Sequence, residues 1–153
     1  MDIRLELRTE SDSEFFLELY SKIKSSELHF NDFPEQIKHQ ILTMQFSTFE
    51  KSAIAKFNDS IDYLVLFNSI KAGRLILNID DTGIRIINIS LMLSFQNLGI
   101  GSCLISNILK EANKSKKAVF LEVDKSNPAY LWYLKFGFQE YDQNEVKYFM
   151  KRS

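Results

Sequence analysis

The chain opens on strict alternation. Ile3, Leu5 and Leu7 are separated by Arg4 and Glu6, a period-two pattern that predicts a strand over Ile3–Leu7. Ser11 or Asp12 suits the N-cap of a following helix, with Glu14 in its first turn. Phe15, Phe16, Leu19, Tyr20 and Ile23 then recur at helical spacing, and this aromatic face is expected to pack on the sheet. Pro34 fits a first helical position and opens a second helical region reaching to about Phe57. Ile37, Ile41, Met44 and Phe49 mark its expected apolar stripe, and its β-branched and polar interruptions predict more than one helical piece. Asn58-Asp59-Ser60 is a turn cluster. Strands are expected over Ile61–Phe67, Lys71–Ile79 and Ile84–Leu93, the last two joined by a hairpin turn at Asp80-Asp81-Thr82-Gly83. Gly99 to about Asn113 is amphipathic, with Ile100, Leu104, Ile105, Ile108, Leu109 and Ala112 on one stripe. After the solvated run Lys114-Ser115-Lys116-Lys117 comes a short strand, Ala118–Val123. A helix over Asn127–Lys135 carries Pro128 in its first turn and ends at Gly137. Strands from Phe138 and over Val146–Met150 close the chain.

The strand–helix–strand over residues 84–123 implies a parallel pair joined by a crossover, and the hairpins before it an antiparallel portion. With no repeat, low-complexity stretch or linker, the expected organisation is one domain over residues 1–153, a mixed α/β (α+β) sheet.

Composition narrows the function. A net charge of −1 gives no basic field, which argues against a nucleic-acid binder. The single cysteine, Cys103, excludes an intramolecular disulfide and points to the cytoplasm. The start lacks the apolar core of a signal peptide. The run Tyr63–Phe67 falls far short of the roughly 20 apolar residues that span a bilayer, so no membrane role is expected. Two histidines, His29 and His39, with no cysteine near either, make a metal site unexpected.

The chemistry concentrates in Gln96-Asn97-Leu98-Gly99-Ile100-Gly101-Ser102, between a strand end and a helix start. A helix N-terminus offers unpaired N–H groups and partial positive charge, and glycines allow close backbone approach, which together suit a pyrophosphate. The same glycines also occur in plain tight turns. A P-loop is excluded because no Gly-Lys-Ser/Thr is present. A dinucleotide turn lacks its third glycine, since Leu104 stands there, although Glu122 lies at a suitable distance for a ribose. NADH binding is therefore the weakest reading, and a pyrophosphate-bearing cofactor on a smaller sheet is left.

A second segment, Asn127-Pro128-Ala129-Tyr130-Leu131-Trp132-Tyr133-Leu134-Lys135-Phe136-Gly137-Phe138, follows the next strand. Together the two segments resemble the GNAT acyltransferase superfamily. Gln96, Gly99 and Gly101 match that family's first motif, and Asn127, Tyr133, Gly137 and Phe138 its second; the likeness covers about residues 84–150. The resemblance implies a single mixed, mostly antiparallel sheet of about seven strands, with helices on both faces and a central parallel pair. It implies acetyl-CoA as cosubstrate and an amine-bearing acceptor. The N–H groups of Asn97, Leu98, Gly99, Ile100, Gly101 and Ser102, with Gln96, would hold the pyrophosphate. Ile89 and Leu91 would splay from the next strand and pair with the pantetheine arm, as an added strand does. The Leu91 N–H would meet the oxyanion. Asn127 would orient the pantetheine, and Tyr133 would protonate the departing thiolate, a transfer between groups of pKa about 10 and about 8.5.

This sequence also departs from the family. Tyr130 and Trp132 replace an alanine and a leucine, and Leu93 a proline. The phosphate loop carries the neutral Gln96, Asn97 and Leu98, which leaves binding to main-chain N–H groups. Arg85 aligns with the general-base glutamate of some members and cannot accept a proton. Glu122, Ser90 through a water, and bulk water stay open as the base. These departures keep a second reading in play, a non-catalytic acyl-CoA sensor of the same fold. Cys103 is read as a packed thiol. Glu27, His29 and Asp32 form either a solvated loop or an amine-binding cluster, and Glu35 adds to the local acidity. Trp132 either lines the cofactor channel or packs under the sheet. The last two strands near a sheet edge offer a surface for pairing two copies as a homodimer.

Overall fold

The computed structural model describes residues 2–27 and 32–153. β1 (Ile3–Leu7) leads through a helical turn into α1 (Ser13–Glu27), and α2 (Glu35–Lys56) follows. Then come β2 (Ser60–Phe67), β3 (Ile70–Asp80), β4 (Gly83–Leu91), α3 (Ile100–Ser115), β5 (Val119–Asp124), α4 (Ala129–Lys135), β6 (Gln139–Gln143) and β7 (Lys147–Arg152). The strands form one sheet in the order β1-β2-β3-β4-β5-β7-β6, in which only β4 and β5 run parallel. This is the expected element order and the expected mixed sheet.

Four local expectations are corrected. Neither Ser11 nor Asp12 caps α1. Both lie in the turn Glu10–Asp12, where the Asp12 carboxylate reaches back to accept the Thr9 N–H at 2.9 Å. α2 is one 22-residue helix rather than several pieces. It contains no proline or glycine, and once nucleated each further residue adds a hydrogen bond for little entropy. Its stripe is also rotated. Ile37 and Met44 are exposed, whereas Leu42 is buried and Phe46 and Phe49 meet the Tyr20 ring at 5.6 and 5.9 Å. Finally, β4 stops at Leu91, and Leu93–Phe95 form a helical turn instead of strand.

The core divides across the sheet. On one face the apolar stripe of α3 packs on Leu75, Leu77, Ile84, Ile86, Val119 and Leu121. Six buried apolar side chains on this helix, at about 1.5–3 kcal/mol each, make it the principal anchor of the sheet. On the other face Phe16 and Leu19 of α1 pack on Leu64.

Candidate active site

β4 and β5 pair only over Ile84–Ile86 and Val119–Leu121. Beyond that point β4 stays bonded to β3 as far as Leu91, and β5 stays bonded to β7 as far as Asp124. The two central strands therefore part into a wedge. A β-bulge marks its apex: Ile76 lies opposite Asn88 but Leu77 opposite Ile86, so Ile87 is the extra residue. Because side chains alternate with period two, this insertion changes which residues face α3. Ile84 and Ile86 do so before it, and Ile89 and Leu91 after it, while Ser90 lies opposite Arg74 on the face toward α1 and α2.

Main-chain direction follows from the same count. The Ile84 N–H donates toward β5, to Ala118 O at 2.9 Å, and the Met92 N–H donates toward β3, to Ala72 O at 2.8 Å. Stepping back by twos from Met92 puts the N–H groups of Ser90 and Asn88 on the β3 side. Those of Ile89 and Leu91 consequently face the wedge. The Leu91 carbonyl also faces away from β3 and accepts the Gln96 side-chain amide at 3.0 Å. Gln96 thus ties the loop to the strand edge.

The loop ends at the N-terminus of α3. Asn97 (φ 62°) and Gly99 (φ 86°) are left-handed, and a Cβ built at Gly99 would meet nothing within 4 Å. The first helical bond is Cys103 N–H to Gly99 O at 3.0 Å. From Asn97 through Ser102, six successive N–H groups have no acceptor among the described residues. Gly101 is closed on its other side: a Cβ there would lie 3.3 Å from the Trp132 ring. Trp132 thus packs against the start of α3. Further into that helix the Cys103 sulfur accepts from Asn107 at 3.7 Å.

α4 supplies the remaining expected residues. Tyr133 is only 7% exposed and stacks against Phe138 and Trp132 at centroid distances of 5.8 and 5.1 Å. Its hydroxyl makes no hydrogen bond among the described residues, and burial pushes its pKa up to about 12. The Asn127 carboxamide oxygen caps α4 by accepting the Ala129 N–H at 2.9 Å, leaving its NH₂ group as the free end. Tyr130 turns to β6 and β7, with its hydroxyl 3.3 Å from Glu140 and its ring 4.5 Å from that of Tyr148.

On the α2-facing side, Glu122 lies between Lys56 at 3.5 Å and Lys147 at 3.4 Å. Arg85 sits near the rings of Phe57 and Phe120. His29 and the Glu27 side chain lie outside the described residues; Asp32 and Glu35 are exposed.

One cluster escaped the sequence reading. Arg74, 5% exposed, makes a bidentate pair with Asp62 at 3.0 and 2.6 Å and approaches Glu50 at 2.6 Å. Arg8 contacts the same two carboxylates at 2.6 and 3.2 Å, and both guanidiniums lie over Phe16. Its signal was available in Asp62 and Arg74, charges set within otherwise apolar strands.

A family model described as an acetyltransferase (GNAT) domain matches residues 26–150. The chain belongs to the GNAT acetyltransferase family. Solved structures of GNAT members share its fold. The PaiA N-acetyltransferase of Thermoplasma acidophilum, in complex with coenzyme A, superposes with a TM-score of 0.74 at 18% identity, over 100% of this chain and 99% of that one. An acetyltransferase of Thermus thermophilus gives 0.71 at 13% identity, over 99% and 97%. A GNAT family acetyltransferase of Elizabethkingia anophelis, with acetyl-CoA bound, gives 0.60 at 18%, over 99% and 97%. At these identities the likeness is one of fold. No curated protein matches the chain. None of the described helices is long and apolar enough to cross a membrane.

Proposed function

We propose that this GNAT chain transfers the acetyl group of acetyl-CoA to a primary amine by direct attack in a ternary complex. One observation carries the reading. The open main-chain edge of β4 runs directly into six unpartnered N–H donors at the start of α3. An extended pantetheine arm pairs with the first, and a pyrophosphate accepts from the second. The loop has no cationic side chain, so the N–H groups and the helix dipole hold the phosphates.

The Leu91 N–H faces the wedge and donates to the oxyanion that develops as the amine attacks the thioester carbonyl. Tyr133 donates its phenolic proton toward the departing sulfur. With its pKa at about 12 it is protonated at any physiological pH and acts only as an acid. Against a thiol of about 8.5, complete proton transfer is uphill by ~3.5 units, or ~5 kcal/mol. The phenol therefore serves first as a hydrogen-bond donor to the sulfur while the C–S bond breaks. The free NH₂ group of Asn127 orients the pantetheine. The acceptor amine gives up its proton to Glu122, to a water on Ser90, whose hydroxyl donates to Asn88 Oδ1 at 2.9 Å, or to bulk water.

The same neutral loop favours a second reading, an acyl-CoA sensor without turnover. Calorimetric titration with acetyl-CoA, coenzyme A and NADH, followed by thiol release with an amine panel, tests both. The enzyme reading expects both coenzyme A species to bind, NADH not to, and thiol to appear with at least one amine. Binding without turnover would leave the sensor. No coenzyme A binding would refute both.

A further inference from the structure

A cavity of about 340 Å³ opens on the α2-facing side, at the closed end of the β4–β5 pair and away from the wedge. Lys56, Phe57, Asp59, Asn78, Arg85 and Phe120 contribute to its walls. Arg85 is its distinctive group. The guanidinium carbon lies 5.7 Å from the centre of the Phe57 ring and 5.5 Å from that of Phe120. No hydrogen bond or ion pair reaches it among the described residues. Arg8 and Arg74 each engage two carboxylates, whereas the Arg85 guanidinium is held only against aromatic faces. Cation–π contact fixes its position but satisfies none of its five N–H donors.

Of the nearby carboxylates, the exposed Asp59 has no ion pair among the described residues, while Asp80 and Glu122 are already engaged. Asp80 accepts from the Thr82 N–H and hydroxyl at 2.9 and 2.6 Å and from the Asn78 amide at 3.1 Å. Glu122 is held between Lys56 and Lys147. A second unsatisfied group stands on the same wall. Asn78, 6% exposed, lies opposite Arg85 across the β3–β4 ladder, and its Oδ1 is buried without a donor. Its orientation is fixed, because flipping the amide would set Oδ1 against the Asp80 carboxylate. The cavity therefore presents an unpaired cation, with an unpaired acceptor buried in the wall behind it.

We propose that this cavity is a binding site for a small oxyanion, a carboxylate or a phosphate, seated on the Arg85 fork with Lys56 as the second cation. An O–H or N–H adjoining the anionic group would face the Asn78 wall, where a small side-chain shift would let it reach Oδ1. Hydroxy acids and monoprotonated phosphate both have this form. The site is independent of the acetyl-transfer reading.

Calorimetric titration of the full chain with inorganic phosphate, and separately with malate, tests the proposal. Both runs are made with coenzyme A at saturation, which occupies the α3 N-terminus if that site takes its pyrophosphate. At least one probe is expected to bind, and which one does identifies the anionic group. Arg85→Gln should weaken it about tenfold or more, the loss of a charge-assisted fork. Lys56→Gln should weaken it by a smaller factor, with coenzyme A affinity unchanged in both. Should Arg85→Gln fail to fold, Arg85→Lys, which keeps the charge and loses the fork, should fall between wild type and background. Binding of neither probe would overturn the proposal. So would equal binding by wild type and the Arg85 variant, which would place the anion elsewhere.

Discussion

Replacing Tyr133 with phenylalanine separates a catalytic phenol from a structural one. The ring is buried against Phe138 and Trp132, so Phe keeps the packing. The hydroxyl it removes has no hydrogen-bond partner among the described residues. The hydroxyl lacks a protein partner but is not among the fully buried unsatisfied atoms, so it keeps solvent contact, and at pH 7 its removal should change stability by no more than about 1 kcal/mol in either direction. Activity should move the other way. Loss of a positioned general acid lowers kcat on the order of 10²-fold, while acetyl-CoA affinity stays within about threefold.

The pH dependence gives a second signature of the same group. Burial raises the phenol from its unfolded pKa near 10 to about 12 in the folded chain. Below pH ~10 both states are protonated and the contribution is complete. Above it the unfolded chain loses its proton first, so stability falls as pH rises toward 12, by about 2–3 kcal/mol in total. Tyr133→Phe should lack this share of the alkaline loss. Urea denaturation at pH 7, 10 and 11.5, with thiol release as the rate assay, reads both effects. A variant that turns over at the wild-type rate, or that loses about 2 kcal/mol at pH 7, would refute the reasoning.

Three further variants probe the frame around the wedge. A Cβ at Gly73 would sit 2.1 Å from the Ser90 carbonyl oxygen, a backbone atom that cannot swing aside. Gly73→Ala should therefore cost about 2 kcal/mol or more in chemical denaturation. Asp62→Asn leaves Arg74 without its bidentate partner; since Asp62 is 26% exposed, about 2–3 kcal/mol is expected from the same measurement, less than for a fully buried pair. Leu91→Pro removes an N–H that faces the wedge rather than the β3 ladder. It should leave the circular dichroism spectrum unchanged and lower turnover on the order of 10²-fold or more.

The turn at the mouth of the wedge was legible because its elements carry local signals, whereas the parting of the strands was implied only by the family resemblance. Gly99 and Gly101 before the α3 stripe announced a strand-to-helix turn, and the period of three or four in residues 100–112 fixed the face that α3 buries. The α2 stripe was misread because apolar residues lie all around that helix. Only the position of α1 selects Leu42, Phe46 and Phe49 over Ile37 and Met44. The Arg8–Glu50–Asp62–Arg74 cluster joins the loop after β1 to α2, β2 and β3, and no spacing in the sequence brings it together. The same holds for the Arg85 cavity, whose two aromatic walls come from residues 57 and 120. Against the family's motif Arg85 stands only as an absent carboxylate.

The bulge at Ile87 stores the opening of the sheet as a length. Any side chain at that position preserves the extra residue between Ile86 and Asn88, and with it the bend. Deleting it would set Asn88 directly after Ile86, where plain alternation already turns it toward α1 and α2, so every downstream side chain would keep its face and only the bend at the apex would be lost. Substitutions there should therefore be tolerated, and a deletion should narrow the wedge without reversing the strand. Its importance would show in the spacing between motifs of related chains rather than in which residue they carry there.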